Sequence, residues 1–170
     1  MEKIKSFTID HMTLLPGVYV SREDCISPSD AFGKAGDKVV PHGSYKENEL
    51  YPVTTYDIRI TRPNFEPVMS TAEIHAIEHI GATFLRNIPE LKYRILYWGP
   101  MGCRTGFYLI MTGNDGADYV KQLMRKTFAF IRDFEGDIPG ASPSECGNYS
   151  DTDLAAAKVR AAKYLEILDK

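Results

Sequence analysis

Thr55-Tyr-Asp-Ile-Arg-Ile60 alternates residue by residue. Tyr56, Ile58 and Ile60 share one face, and Thr55, Asp57 and Arg59 share the other, as in a strand covered on one side. Downstream, Tyr93 to Trp98 and Phe107 to Met111 read as two more strands, separated by the tight segment Gly99-Pro-Met-Gly-Cys103. Gly113-Asn-Asp-Gly116 reads as a turn. Upstream, Ser6-Phe-Thr-Ile-Asp-His11 and Val18-Tyr-Val20 look like short strands around a turn at Pro16-Gly17. Residues 21–50 are polar and broken by Pro28, Gly33, Gly36, Pro41 and Gly43. They predict a surface excursion longer than most connections inside a domain.

Helices fill the rest. Ser70 and Glu73 have capping-box spacing, so a helix should begin there and end near Arg86-Asn87, ahead of Pro89. Val120, Leu123, Met124, Phe128 and Ile131 recur at helical spacing until Gly136. Ser150, three residues before Asp153, is a plausible start for a last helix through Leu154, Val159, Leu165 and Leu168. Few strands are separated by crossover helices. The expected class is therefore α+β, one domain over residues 1–170, an antiparallel sheet with helices packed on one face.

Composition excludes several functions. Lys and Arg number 20 against 23 Asp and Glu, so there is no basic field to gather nucleic-acid phosphates. No apolar run approaches a membrane span, and the opening Met1-Glu-Lys-Ile-Lys-Ser-Phe lacks a signal-peptide segment, which predicts a cytoplasmic protein without a membrane partner. Cys25, Cys103 and Cys146 cannot all pair, and in a reducing compartment they read as thiols for packing, metal or catalysis.

The segment from Ser70 to His79 carries the chemistry. At about 100° per residue, His75 and His79 lie about 40° apart, one turn above the other, so both imidazoles can reach one ion. Glu78 projects between them and the apolar side marked by Ile74, Ile77, Gly81, Phe84 and Leu85, where a partly desolvated carboxylate suits proton transfer. His-x-x-Glu-His is the inverted zinc motif, although the same residues can simply decorate a solvated helix. Cys146, beside Gly147, would complete a His₂Cys set with an open fourth position, or else pack as a small hydrophobe. Cys103, between glycines and beside Arg104, is a candidate acidic thiol that shuttles a proton, or an incidental residue of a hairpin.

Several blocks in their order resemble the S-ribosylhomocysteine lyase (LuxS) family across most of the chain. They are Ser6-Phe-x-x-Asp-His11, Asp57-Ile-Arg59 with Pro63-Asn64, His75-x-x-Glu-His79, Pro100-Met-Gly-Cys103 with Thr105-Gly106, and Cys146-Gly147. The resemblance implies cleavage of the thioether of S-ribosylhomocysteine to homocysteine and 4,5-dihydroxy-2,3-pentanedione, the precursor of autoinducer-2. It implies His75, His79 and Cys146 as ligands of one divalent metal per subunit, natively ferrous iron and replaceable by zinc or cobalt. By the same resemblance Cys103 and Glu78 form the acid–base pair, and Ser6, His11, Arg59 and Arg86 line the substrate pocket of a homodimer with sites at the subunit interface. From the residues alone, Arg59 could merely pair with Asp57, Arg86 could complement a helix dipole, and His11 could be structural.

Two departures accompany the match. Tyr97-Trp98-Gly99 stands where the family usually has Asp-Ile-Ser, near the amino-acid end of its substrate, and the 21–50 excursion is longer than usual. A LuxS-like enzyme with an altered substrate is thus one alternative. An inverted-motif metallopeptidase is a second, although such enzymes take a downstream glutamate as third ligand and leave Cys103 without a task. A sensor with Cys103 as an oxidation switch is a third.

Overall fold

The alternation at residues 55–60 is realised in strand β2 (Tyr51–Arg59), which follows strand β1 (Gly17–Ile26). Helix α1 (Thr71–Arg86), strands β3 (Ile95–Pro100) and β4 (Gly106–Thr112), and helices α2 (Gly116–Asp133) and α3 (Leu154–Leu168) complete the described elements. The computed structural model describes residues 11–26 and 51–170; Ser6 and residues 27–50 lie outside them. The four strands form one antiparallel sheet in the order β1-β2-β4-β3.

Register sorts the two faces. Tyr56 lies opposite Leu109 and Ile58 opposite Phe107, with Trp98 also opposite Leu109. These side chains are buried and join α1, α2 and α3 residues in one hydrophobic cluster. Asp57 lies between Tyr19 and Tyr108 on the reverse face. The α+β architecture expected from the pattern is the one observed.

Helix α1 begins on a full capping box: Ser70 Oγ accepts from the Glu73 N–H at 3.1 Å, and the Glu73 carboxylate accepts from the Ser70 N–H at 3.2 Å. Ile74, Ile77, Ile80 and Leu85 are buried beneath it, while Phe84 is half-buried and stacks on Phe130 of α2. Gly81 is required by close approach, since a Cβ there would sit 2.8 Å from the Trp98 indole nitrogen. Trp98 itself stacks on Phe107 with ring centroids 4.7 Å apart, so it has little room to retreat.

Four details differ from the sequence reading. Residues 21–26, expected in the polar excursion, continue β1; this strand is at the sheet edge, where polar residues are tolerated. Strand β3 starts at Ile95 rather than Tyr93, because the amides of Arg94 and Ile95 both turn back onto the Leu91 carbonyl. Helix α3 is capped by Asp153, not Ser150: its carboxylate accepts from the Ala156 N–H at 2.9 Å while its own N–H donates to the Ala72 carbonyl of α1. Val159 faces solvent, and α3 meets the core through Ala157, Ala161, Tyr164, Leu165 and Leu168. Tyr164 also donates to the Gly17 carbonyl at 2.9 Å, tying α3 to β1. No described helix is long and apolar enough to cross a membrane.

Gly81→Ala is expected to cost about 1–3 kcal/mol by overpacking against the indole. Urea unfolding should show that loss, and a smaller one when Trp98→Leu is added.

Candidate active site

The side of α1 turned away from the core carries the two histidines. Their rings meet edge to face with centroids 4.6 Å apart. His75 Nδ1 lies 2.9 Å from the Asp151 carbonyl oxygen, and His79 Nδ1 lies 2.7 Å from that of Pro139. A carbonyl can only accept, so each Nδ1 carries a hydrogen, and in the neutral ring Nε2 keeps its lone pair. Neutral imidazoles fixed in this tautomer are prepared to bind a cation.

The third donor comes from the segment between α2 and α3. Cys146 Sγ stands 3.3 Å from His75 Nε2, and the ligand atoms of His75, His79 and Cys146 all lie within 4.8 Å of one another. Bonds of about 2.3 Å to sulfur and about 2.0 Å to nitrogen at a tetrahedral angle separate the two donors by about 3.5 Å, so the spacing fits one ion. Two imidazole nitrogens and a thiolate suit a first-row divalent metal, and three protein donors match a catalytic site. The segment is held in place by local and long-range bonds. The Cys146 amide donates to the Ser142 carbonyl at 3.0 Å, and the Asn148 amide donates to the sulfur at 3.5 Å. Just beyond it, Arg160 of α3 pairs with Glu73 of α1 at 2.5 Å. Glu78 is half-buried on the same helix, and its carboxylate has no hydrogen-bond partner among the described residues.

A second group gathers on the reverse face of the sheet. Arg59 and Asp57 are each 1% exposed and form a bidentate pair, Nε to Oδ1 at 3.1 Å and Nη2 to Oδ2 at 2.5 Å. Arg59 Nη1 continues to the Thr105 hydroxyl at 2.5 Å and to Cys103 Sγ at 3.8 Å. Cys103 sits on the β3–β4 turn beside Arg104, whose φ of 60° is left-handed and unusual for a side chain of this size. The turn lies close against β2 because Gly106 allows it: a Cβ there would be 2.4 Å from the Ile58 carbonyl oxygen. Burial pushes the Cys103 thiol up, but hydrogen bonds from Thr105 and the Arg59 charge outweigh it and hold the thiol below its ordinary value. Burial also pushes the Asp57 carboxyl up, and the Arg59 hydrogen bonds and charge pull it back only in part. The thiol opens into a cavity of about 590 Å³ lined by His11, Arg59, Asn64, Glu66 and Tyr108.

Residues 38–170 match the family described as S-Ribosylhomocysteinase (LuxS). The chain belongs to the S-ribosylhomocysteinase (LuxS) family. Among its LuxS-family relatives, the S-ribosylhomocysteine lyase of Clostridium beijerinckii is 52% identical over 97% of this chain and 90% of that protein. Those of Finegoldia magna and Clostridium acetobutylicum are each 48% identical over 99% of this chain and 93% of theirs.

The structure thus brings His75, His79 and Cys146 together, and separately brings Cys103, Arg59 and His11 to one cavity. None of the three metal-ligand candidates lines that cavity. Arg86 is exposed in the last turn of α1 and belongs to neither group, and Ser6 lies outside the described residues. The pairing of Arg59 with Asp57 is present, but buried and extended to the thiol rather than lying on the surface. Sequence reasoning missed the carbonyls of Pro139 and Asp151, which carry no side-chain signal, and the contact of Thr105 with the thiol, although Thr105 stands in the block that follows Cys103.

Stripping metal with a chelator should lower the melting temperature. Restoring free Zn²⁺ or Co²⁺ to 100-fold above Kd should recover about 2.7 kcal/mol, which is about 5–10 °C for a chain of this size. His79→Ala should show no such recovery.

Proposed function

We propose that this chain is an S-ribosylhomocysteine lyase that cleaves the thioether to homocysteine and 4,5-dihydroxy-2,3-pentanedione. The observation that carries the reading is the convergence of His75 Nε2, His79 Nε2 and Cys146 Sγ in a chain of this family, with an acidic thiol at Cys103. His75, His79 and Cys146 hold one divalent ion, natively ferrous iron and replaceable by zinc or cobalt. When bound, the ion supplies Lewis acidity toward the sugar oxygens of the substrate.

The remaining chemistry is proton transfer. The thioether sulfur can leave only when a carbonyl stands next to the carbon that bears the β proton. The carbonyl therefore migrates along the ribose chain, and each migration removes a proton from one carbon and returns one to its neighbour. Cys103 as thiolate takes and returns these protons, and Glu78 serves the oxygens and the departing sulfur. In the last step that proton, on the carbon between the carbonyl and the C–S bond, is removed, the C–S bond breaks, and homocysteine leaves with a proton on sulfur. Arg59 and His11, at the wall of the cavity, and Ser6 and Arg86 bind the substrate.

A homodimer with its sites at the subunit interface accounts for the two separate groups. Met12, Phe65 and Val68 are exposed apolar side chains near the Cys103 cavity, and a second copy would cover them. The proposed location of the enzyme is the cytoplasm. A metallopeptidase is disfavoured, because no glutamate joins the two imidazoles among the described residues; the third donor is Cys146.

Cys103→Ala and Glu78→Gln are each expected to retain metal while homocysteine release falls by about 10²–10⁴-fold. A thiol-release assay on S-ribosylhomocysteine with parallel metal analysis checks this, and full turnover in either variant removes that residue from the mechanism. Mixing Cys103→Ala with Cys146→Ala subunits should restore activity if metal and thiol meet across the interface. Mixtures as inactive as their parents would place both in one subunit.

A further inference from the structure

We propose that Thr105 is a positioning residue for Cys103: its hydroxyl, made an acceptor by Arg59, directs its only hydrogen at the Cys103 sulfur, and Asp57 holds Arg59 in that role. The geometry leaves little choice of donor. Arg59 Nη1 lies 2.5 Å from Thr105 Oγ1, and a guanidinium has hydrogens to give and no lone pair to receive one. The Thr105 oxygen therefore accepts from Arg59. Its own hydrogen is left for its other close neighbour, Cys103 Sγ, at 3.1 Å.

Among the described residues, every hydrogen-bond partner of the sulfur can act as a donor. The Thr105 hydroxyl, the Thr105 backbone N–H and Arg59 Nη1 are each directed at it. If a neutral thiol gave its hydrogen to Thr105 Oγ1, that oxygen would accept from both Arg59 and the thiol, and its own hydrogen would have no acceptor among the described residues. A thiolate satisfies every partner, and hydrogen bonds to a charged acceptor are the stronger kind.

The arrangement is rigid because it is buried behind the sulfur. Thr105 is 3% exposed, and Asp57 and Arg59 are each 1% exposed. Asp57 takes two of the guanidinium's donor nitrogens, so Nη1 is the one turned toward the turn of Cys103. Among the described residues, the other titratable groups around the cavity are His11, Glu66 and Tyr108. Glu66 accepts from the Arg62 amide at 2.5 Å, on the segment that follows β2. Neither Thr105 nor Asp57 is needed as a proton carrier in the mechanism above. Their effect on turnover rests on the proton-transfer role of Cys103 proposed there.

The test reads the thiol directly and does not depend on turnover. Metal-loaded protein is alkylated with iodoacetamide across pH, and modification of Cys103 is resolved from Cys25 and Cys146 by peptide mass spectrometry. Thr105→Val keeps the shape and removes the hydroxyl. It should raise the pH midpoint of alkylation by roughly one to two units, the effect of losing one hydrogen bond to a charged acceptor. Thr105→Ser keeps the hydroxyl and should restore the original midpoint. If Thr105→Val does not fold, Thr105→Ala is read in the same way. Superimposable profiles for the hydroxyl-less variant and the parent overturn the proposal, as does an equal shift in Thr105→Ser, which would make the role steric. Full activity of Cys103→Ala would overturn the acid–base reading and leave this titration result standing.

Discussion

Helix α1 must serve two sides at once, and the rest of the molecule is arranged around that requirement. Ile74, Ile77, Ile80 and Leu85 hold it to the sheet, with Gly81 letting it settle on Trp98. That seating turns His75 and His79 outward, where a helix without a buried side would leave them to wander. The segment leading to α3 then closes over the histidines, and the contacts that hold it return to the same helix: the Asp153 amide to the Ala72 carbonyl, and Arg160 to Glu73. Glu73 thus completes the cap of α1 and anchors α3 with one carboxylate.

The two chemical groups are built by different means. The histidines are oriented by main-chain carbonyls on a covering segment. The thiol is polarised by side chains on the reverse face of the sheet. A buried Asp57–Arg59 pair alone would be a doubtful source of stability, because removing two charges from water offsets most of their attraction. Its place beside Thr105 and Cys103 gives it a chemical purpose instead. Apolar residues of the same volume could fill the space but could not present a directed positive charge to sulfur.

Much of this was legible in the sequence, for physical reasons that differ by element. Period-two alternation at residues 55–60 and the capping box at Ser70 are local, so both survive into the structure with little change. The pairing of His75 with His79 is equally local, fixed by helical pitch. Cys146 was legible as a candidate through its residue type, but its meeting with two residues some seventy positions earlier is a product of tertiary packing. The start of α3 is ambiguous in the sequence because Ser150 and Asp153 are both good caps. Only the bond from the Asp153 amide to α1 selects between them. The role of Thr105 depends on which neighbour takes its lone pair, and no spacing rule expresses that.

Residue numbers carry an asymmetry between the two groups under mutational drift. The acceptors that lock the imidazole tautomers belong to the main chain of Pro139 and Asp151, so replacing either side chain leaves the oxygen in being. The donors at the thiol are partly side chains, and a single codon change can delete one. Descendants of this chain can thus retune the reactivity of the sulfur in small steps, whereas the lock on the cation-binding rings yields only to changes that redirect the whole covering segment.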